Sequence, residues 1–295
     1  MTTYALIGAV EQGFLYGIMV LGVFLTFRVL DFPDLTVDGS LPLGASVSAV
    51  AISHGMNPYL SLFLAMAAGF LAGSVTALLN TKLKILHLLA SILTMIALYS
   101  INIRIMDGPN RSLLGVDTVL DALVPLGIPG YLAAPALFGV IALLVTACMI
   151  GFLNTELGLA LLATGDNPRM ITSQGVNTHG TILLGVGLSN ALVALSGALV
   201  AQNQGASDVN MGVGTIIAGL ASVIVGETLC GKGGIARACL AALLGSLVYR
   251  IAIALALSFK WGRFSFTPSD LNLITAVLVV SALTVPKIKA RLSRS

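Results

Sequence analysis

Long apolar runs alternate with short polar interruptions along the whole chain. The runs are continuous, about twenty residues long and rich in Leu, Ala and Gly, the pattern of membrane-crossing α-helices. Transmembrane β-strands would instead read as alternating segments of about ten residues. The runs predict spans over roughly 4–28, 41–54, 58–80, 84–102, 131–153, 181–202, 212–228, 234–258 and 270–286. Two of them, 41–54 and 212–228, are short for a crossing. Each follows a polar break: Asp31–Ser40 (DFPDLTVDGS) in the first case, Gln202–Gly212 (QNQGASDVNMG) in the second.

The breaks read as two copies of one design. A long Gly-rich span runs into a polar break, a short small-residue helix follows, and a second long span begins after a further interruption at Asn57-Pro58 or Gly231–Gly234. Five spans precede the second copy. An odd number reverses direction, so the copies are expected to be inverted repeats, a common transporter design. The expected fold is an all-α polytopic membrane helical bundle. It forms a single transmembrane domain of about nine spans with two inverted repeats and broken short helices. Repeat 1 covers about 4–102, an extra span 131–153, a loop segment 154–180, and repeat 2 about 181–286.

Composition supports this reading. Only 9% of residues are charged and 57% are hydrophobic, with a mean hydropathy of +1.00; a soluble domain carries about 25% charged residues. The net charge of +3, with no basic tract interleaved with aromatics, excludes a nucleic-acid partner and leaves membrane lipid as the surrounding solvent. Cys148, Cys230 and Cys239 lie in or beside apolar runs without a CxxC pair and read as small apolar residues. The start lacks a positive n-region and a cleavage site, so the first span is expected to act as an uncleaved signal anchor.

Charge placement orients the bundle. With 154–180 in the cytoplasm, that side receives Arg28, Lys82, Lys84, Arg169, Lys232, Arg237, Lys287, Lys289, Arg291 and Arg294. The outer side receives only Arg104, Arg111, Lys260 and Arg263. The bias follows the positive-inside rule. It places the amino terminus outside and the carboxyl terminus in the cytoplasm.

Within the loop, Glu156–Asn177 keeps helical spacing: Leu157, Leu161 and Leu162, then Met170 and Ile171, give short amphipathic turns. A segment that docks onto a partner needs that pattern; a tether does not. The outer loop 103–130 carries the patch LLGVDTVLDALV, expected to form a short interfacial helix sealing the bundle, with docking of an external partner as the alternative.

No constellation for covalent chemistry is present. His54, His87 and His179 are far apart and show no metal-ligand spacing, no Gly-x-Ser-x-Gly elbow occurs, and Gly231–Gly234 lacks the second half of a phosphate loop. Polar groups at membrane depth are costly and carry a functional expectation. Around the second break these are Asn190, Gln202, Asn203, Gln204, Ser207, Asp208 and Asn210; around the first, Asp31, Asp34, Thr36 and Asp38. Either they line a solvated solute path, or they cap helix ends. Capping is preferred for Asp38, Ser40 and Asn210; both readings stay open for Gln202, Asn203 and Gln204. Glu227 is expected to pair with a nearby base such as Lys232. Arg250, inside a span, either snorkels or pairs within the bundle.

The stretch from Gly158 (GLALLATGDNPRMITSQGVNTHGTILLGVGLSNALVALSGALVAQNQG) resembles the permeases of ABC importers for branched-chain amino acids and ribose. Gly158, Asp166, Asn167, Pro168, Arg169, Gly175, Val176 and Asn177 match the family pattern, and similarity extends over nearly the whole chain. DLTVDGSLPLGA looks like a subgroup often linked to lipoprotein receptors, some associated with aromatic amino acids. The resemblance implies a non-enzymatic membrane subunit in a bacterial plasma (inner) membrane. It pairs with a second permease copy, as a homodimer, with two cytoplasmic ABC ATPase subunits and with an extracytoplasmic substrate-binding protein. No cofactor is expected on this chain; ATP and magnesium belong to the partner ATPase. Glu156, Gly158, Asp166, Asn167, Pro168, Arg169 and Gly175 become the coupling segment. An ion-coupled, stand-alone secondary transporter is the competing class, but no carboxylate reads as mid-span.

Overall fold

A computed structural model of the chain describes residues 3–121, 130–231 and 233–258, together with 260–261, 264–265, 280 and 284. It is mainly helical. α1 (Thr3–Phe24) runs on into a π-helical turn, Leu25–Val29, and ends at a break over 30–36. α2 (Val37–Ser53), α3 (Pro58–Thr81) and α4 (His87–Met106) follow. A strand β1 (Asn110–Ser112) then precedes α5 (Gly130–Leu153), α6 (Glu156–Asp166), α7 (Pro168–Ser173) and α8 (Thr178–Gln204). Strand β2 (Ala206–Asp208) and a 3₁₀ turn, Val209–Gly212, lead to α9 (Thr215–Cys230) and α10 (Ile235–Ser258).

Among the described residues, seven stretches are helical, long and apolar enough to cross a membrane, and α2 is a shorter apolar helix beside them. Eight of the expected spans thus have a helix at their place; 270–286 lies outside the described residues. The starts are local chemistry. Asn57 accepts a bond from the Tyr59 N–H at 2.9 Å with Pro58 in the first turn, Asn177 caps Gly180, and Gly205 (φ +68°) closes α8 in the left-handed conformation.

Neighbouring helices alternate in direction. Ser246 Oγ donates to the Gly13 carbonyl while Gly17 faces Leu243, so α10 runs antiparallel to α1. Ser196 and Ser189 donate to the carbonyls of Leu15 and Gly22, so α8 does too. One end of the bundle therefore carries the start of α1, the β1–β2 pair and the end of α10. The other carries Arg28, the turn at 82–86, α6, α7 and Gly231.

α8 is the hub. α2, α3 and α1 pack along it, and its second half is buried almost without interruption. Close approach rests on absent side chains: a Cβ on Gly44 of α2 would strike the Ala194 carbonyl, and one on Gly197 of α8 would strike the Leu41 carbonyl. α1 packs on α10 and α3 on α8, so each half of the chain contributes a helix to the other.

Of the patch 113–124, residues 122–124 lie outside the described residues, and 113–118 depart from the expected interfacial helix. Arg111 faces Ser207 in an antiparallel β1–β2 pair, and the Leu113 N–H donates to the Gly205 carbonyl at 2.8 Å. Among the described residues of the patch only 119–121 are helical, as a 3₁₀ segment. Gly44→Ala should cost roughly 1–3 kcal/mol of stability because the helix pair cannot open locally. Gly151→Ala, at an exposed position where nothing lies within 4 Å, should not destabilise the fold. Thermal inactivation of the two variants in detergent checks the contrast.

Candidate functional site

The first break is held by its own carboxylates. Asp34 is fully buried; its Oδ1 accepts the Thr36 N–H at 2.9 Å and its Oδ2 accepts Asn190 Nδ2 at 2.7 Å. Asn190, half-way along α8, also donates to the Val186 carbonyl, and its Oδ1 accepts Ser40 Oγ at 2.6 Å. Thr36 and Thr76 join their hydroxyls at 2.8 Å. One amide on α8 thus fixes both the loop before α2 and the first turn of α2. Asp34 was among the polar candidates of the first break; its partner on α8 was not legible in the sequence.

The second break is held by the first. Asp38 and Ser40 lie inside α2 rather than before it, so neither caps that helix. Asp38 Oδ2 accepts the Gly214 N–H at 3.1 Å; its Oδ1 accepts the Ile216 N–H at 2.9 Å and the Thr215 hydroxyl at 3.0 Å. The capping chemistry is real, but the capped helix is α9. Gly214 has φ +78° and offers no capping side chain of its own, so the cap comes from α2. A carboxylate there also offsets the positive end of the helix dipole. Gly212 makes the contact possible: a Cβ on it would strike the Asp38 carbonyl. Pro42, lacking an N–H, leaves that carbonyl without its usual helical donor.

The other polar residues of the second break divide into three groups. Gln202 is buried; its Nε2 donates to Ser48 at 3.0 Å and Ser61 at 3.2 Å, and its Oε1 accepts the Val119 N–H at 3.0 Å. Asn203, half-buried, donates to Glu11 of α1. Gln204 and Asp208 are exposed, and Asp208 accepts the Asn210 N–H at 2.7 Å, capping the 3₁₀ turn. Ser207 is buried, and its hydroxyl has no hydrogen-bond partner among the described residues. Asn190 and Gln202 therefore act as clasps within the bundle, while Asn203, Gln204 and Asp208 reach its surface.

At the opposite end, Thr155 caps α6 through the Gly158 N–H (3.3 Å) and Asn167 caps α7 through the Met170 N–H (3.0 Å), with Pro168 opening that helix. Gly158 lies against the Phe152 carbonyl and Gly165 against the Val29 carbonyl, so α6 is pressed under the last turn of α5 and the π-helical turn. Thr164 and Thr181 join hydroxyls at 3.0 Å, tying α6 to α8. The free side presents Glu156, Leu157, Leu159, Asp166, Arg169 and Met170, all exposed; Leu157 is 58% exposed. Gly175 (φ +89°) turns the chain into α8.

Beside this platform Arg28 Nε donates to Glu227 Oε1 at 2.6 Å. The expected partner, Lys232, lies outside the described residues; Arg28, on α1's π-helical extension, takes the carboxylate. A cavity of about 370 Å³ opens next to the pair, lined also by Phe24, Leu153 and Ile235. Periodicity along one helix could not have found this contact, because its two ends are 199 residues apart.

Residues 5–283 match the family model described as branched-chain amino acid transport system / permease component. A relative from Clostridioides difficile (strain R20291), a tyrosine transport system permease protein, is 37% identical over 98% of this chain and 94% of its own. Among solved structures, PsaBC from Streptococcus pneumoniae in complex with Fab is similar with a TM-score of 0.55 at 14% identity, covering 97% of this chain and 92% of that one. A structure described as an inward-facing metal-chelate type ABC transporter reaches 0.50 at 16% identity, covering 99% and 87%. At those identities the structures speak for the fold.

Asn190→Ala should cost roughly 1–3 kcal/mol, because Asp34 and Ser40 both lose their partner without gaining water. Adding Ser40→Ala to it should cost little more. Near-additive losses in a thermal double-mutant cycle would contradict the shared clasp.

Proposed function

We propose a transport cycle from one premise: the chain belongs to the family of branched-chain amino acid transport system permease components. It is the membrane subunit of an ATP-driven importer and moves an amino acid by alternating access. The relative named for tyrosine transport favours an aromatic amino acid. The working assembly holds two copies of the chain, two cytoplasmic ATPase subunits and an external substrate-binding protein. ATP and magnesium on the ATPase subunits supply the energy. The charge bias sets the amino terminus outside a bacterial plasma membrane and the carboxyl terminus in the cytoplasm.

The single observation that carries this reading is the α6–α7 platform. Its inner face is clamped to α5, α8 and the π-helical turn, while its outer face holds charged and apolar side chains in the open. Such a surface suits a rigid contact with another chain. A push there reaches α8 through Thr164–Thr181 and α1 through Gly165 against Val29. α8 carries Asn190 and hence the first break; the first break carries Asp38 and hence the start of α9. The mutual packing of α1 on α10 and α3 on α8 supports two inverted repeats that exchange helices. Rocking one repeat against the other then opens the bundle to one side at a time.

Arg169→Glu should weaken association with the ATPase subunits about tenfold or more while leaving the thermal stability of the free chain unchanged; pull-down and uptake in proteoliposomes measure both. Unchanged association and uptake would remove Arg169 from the contact. The chain reconstituted alone under a proton or sodium gradient should take up no amino acid. Uptake without any ATPase would instead establish the ion-coupled class.

A further inference from the structure

α10 carries a cation within an apolar span, and no carboxylate among the described residues neutralises it. Arg250 lies eight residues before Ser258, and Glu11 lies eight residues after Thr3. Because α1 and α10 are antiparallel, both stand about 12 Å from the same end of the bundle, at 1.5 Å per residue. Glu11 does not pair with Arg250; it accepts from Asn203 of α8. Among the described residues no carboxylate lies within ion-pair distance of Arg250. Its partners are weak ones. The guanidinium carbon rests 3.7 Å from the centroid of the Tyr16 ring, and Nη1 is 3.5 Å from Gln12 Oε1.

That arrangement is costly as structure and useful as a site. A charged side chain inside a span marks a solute or ion path by default. Stacking on an aromatic face fixes the guanidinium plane yet leaves N–H edges able to fork a carboxylate. The level also fits. Gly226 packs against Ala241 and Gly245 against Ser222, so the antiparallel register of α9 and α10 brings Arg250 level with Ile217, in the first turn of α9. Arg250 therefore stands at the level of the start of α9, which follows the second break, on the side of α10 that faces α1. Arg250, Tyr16 and Gln12 are all at least partly exposed.

We propose that Arg250, held against Tyr16 and Gln12, is the docking cation for the carboxylate of the transported solute. The inference rests on the amino acid importer reading and assigns that importer a specific binding group. Its test uses the chain assembled with its ATPase subunits and binding protein in proteoliposomes. Uptake of a panel of L-amino acids, L-tyrosine included, and ATP hydrolysis are measured together at saturating loaded binding protein. In Arg250→Gln, stimulated hydrolysis should stay within about twofold of the wild type while solute carried per ATP falls about tenfold or more, the loss expected for a charge-assisted contact. Arg250→Lys should fall between the two. A merely structural role would lower hydrolysis and uptake together, and that result overturns the proposal, as does an unchanged ratio. If Arg250→Gln does not assemble, Arg250→Lys decides: a reduced ratio supports the site and a wild-type ratio overturns it. A wild type that hydrolyses ATP but carries no amino acid removes the importer reading, and the site with it. Wild-type uptake with an unchanged ratio in the variants removes the site alone.

Discussion

Two helix starts inside an apolar bundle cannot leave their amides bare. The first turn of any helix has N–H groups with no partner along its own chain, and at membrane depth water is not available to take them. Here one residue, Asp38, serves the start of α9 from within α2, and Asn190 on α8 holds the segment that places Asp38. The loop before α2, the start of α9 and the middle of α8 are thereby a single hydrogen-bonded unit. Moving any one of the three without the others would strand a buried carboxylate or an amide, at a cost of roughly 1–3 kcal/mol for each lost bond.

The rest of the architecture follows from that unit. α8 must be reachable by α2 and α3 at backbone distance, which is why Gly44, Gly69, Gly73 and Gly197 occupy its contacts. It must also extend to the far end of the bundle, where Thr181 meets α6. A rigid hub between the α6–α7 platform and the paired breaks gives a mechanical route from one end to the other, and Arg28–Glu227 joins α1 to α9 on the platform side. Two discrete arrangements of this unit, rather than continuous bending, are what close packing allows.

Much of this was legible in residue order, and the parts that were not share a cause. Apolar periodicity located eight helices within a few residues, and the spacing of Leu157, Leu161, Leu162, Met170 and Ile171 announced the loop helices. Asp38 was readable as a capping side chain but not as the cap of a helix that begins 177 residues later. Asn190 stood out as a polar residue in an apolar span, whereas its partners Asp34 and Ser40 are fixed only by how α2 crosses α8. The outer loop misled for a related reason. The amphipathic spacing of 113–124 was genuine, yet its first residues continue from β1, where the Leu113 N–H bonds the Gly205 carbonyl, and 113–118 form no helix. Local chemistry was visible; the identity of distant partners was not.

The central claim is that Asp38 joins the two breaks by capping α9 from α2. Backbone hydrogen exchange at Gly214 and Ile216, measured in lipid nanodiscs, tests it most directly. In the wild type both amides should be protected, and Asp38→Ala should speed their exchange about tenfold or more while the amides of α3 exchange at their former rate. Rapid exchange at Gly214 and Ile216 in the wild type, or protection that survives Asp38→Ala, would contradict the account.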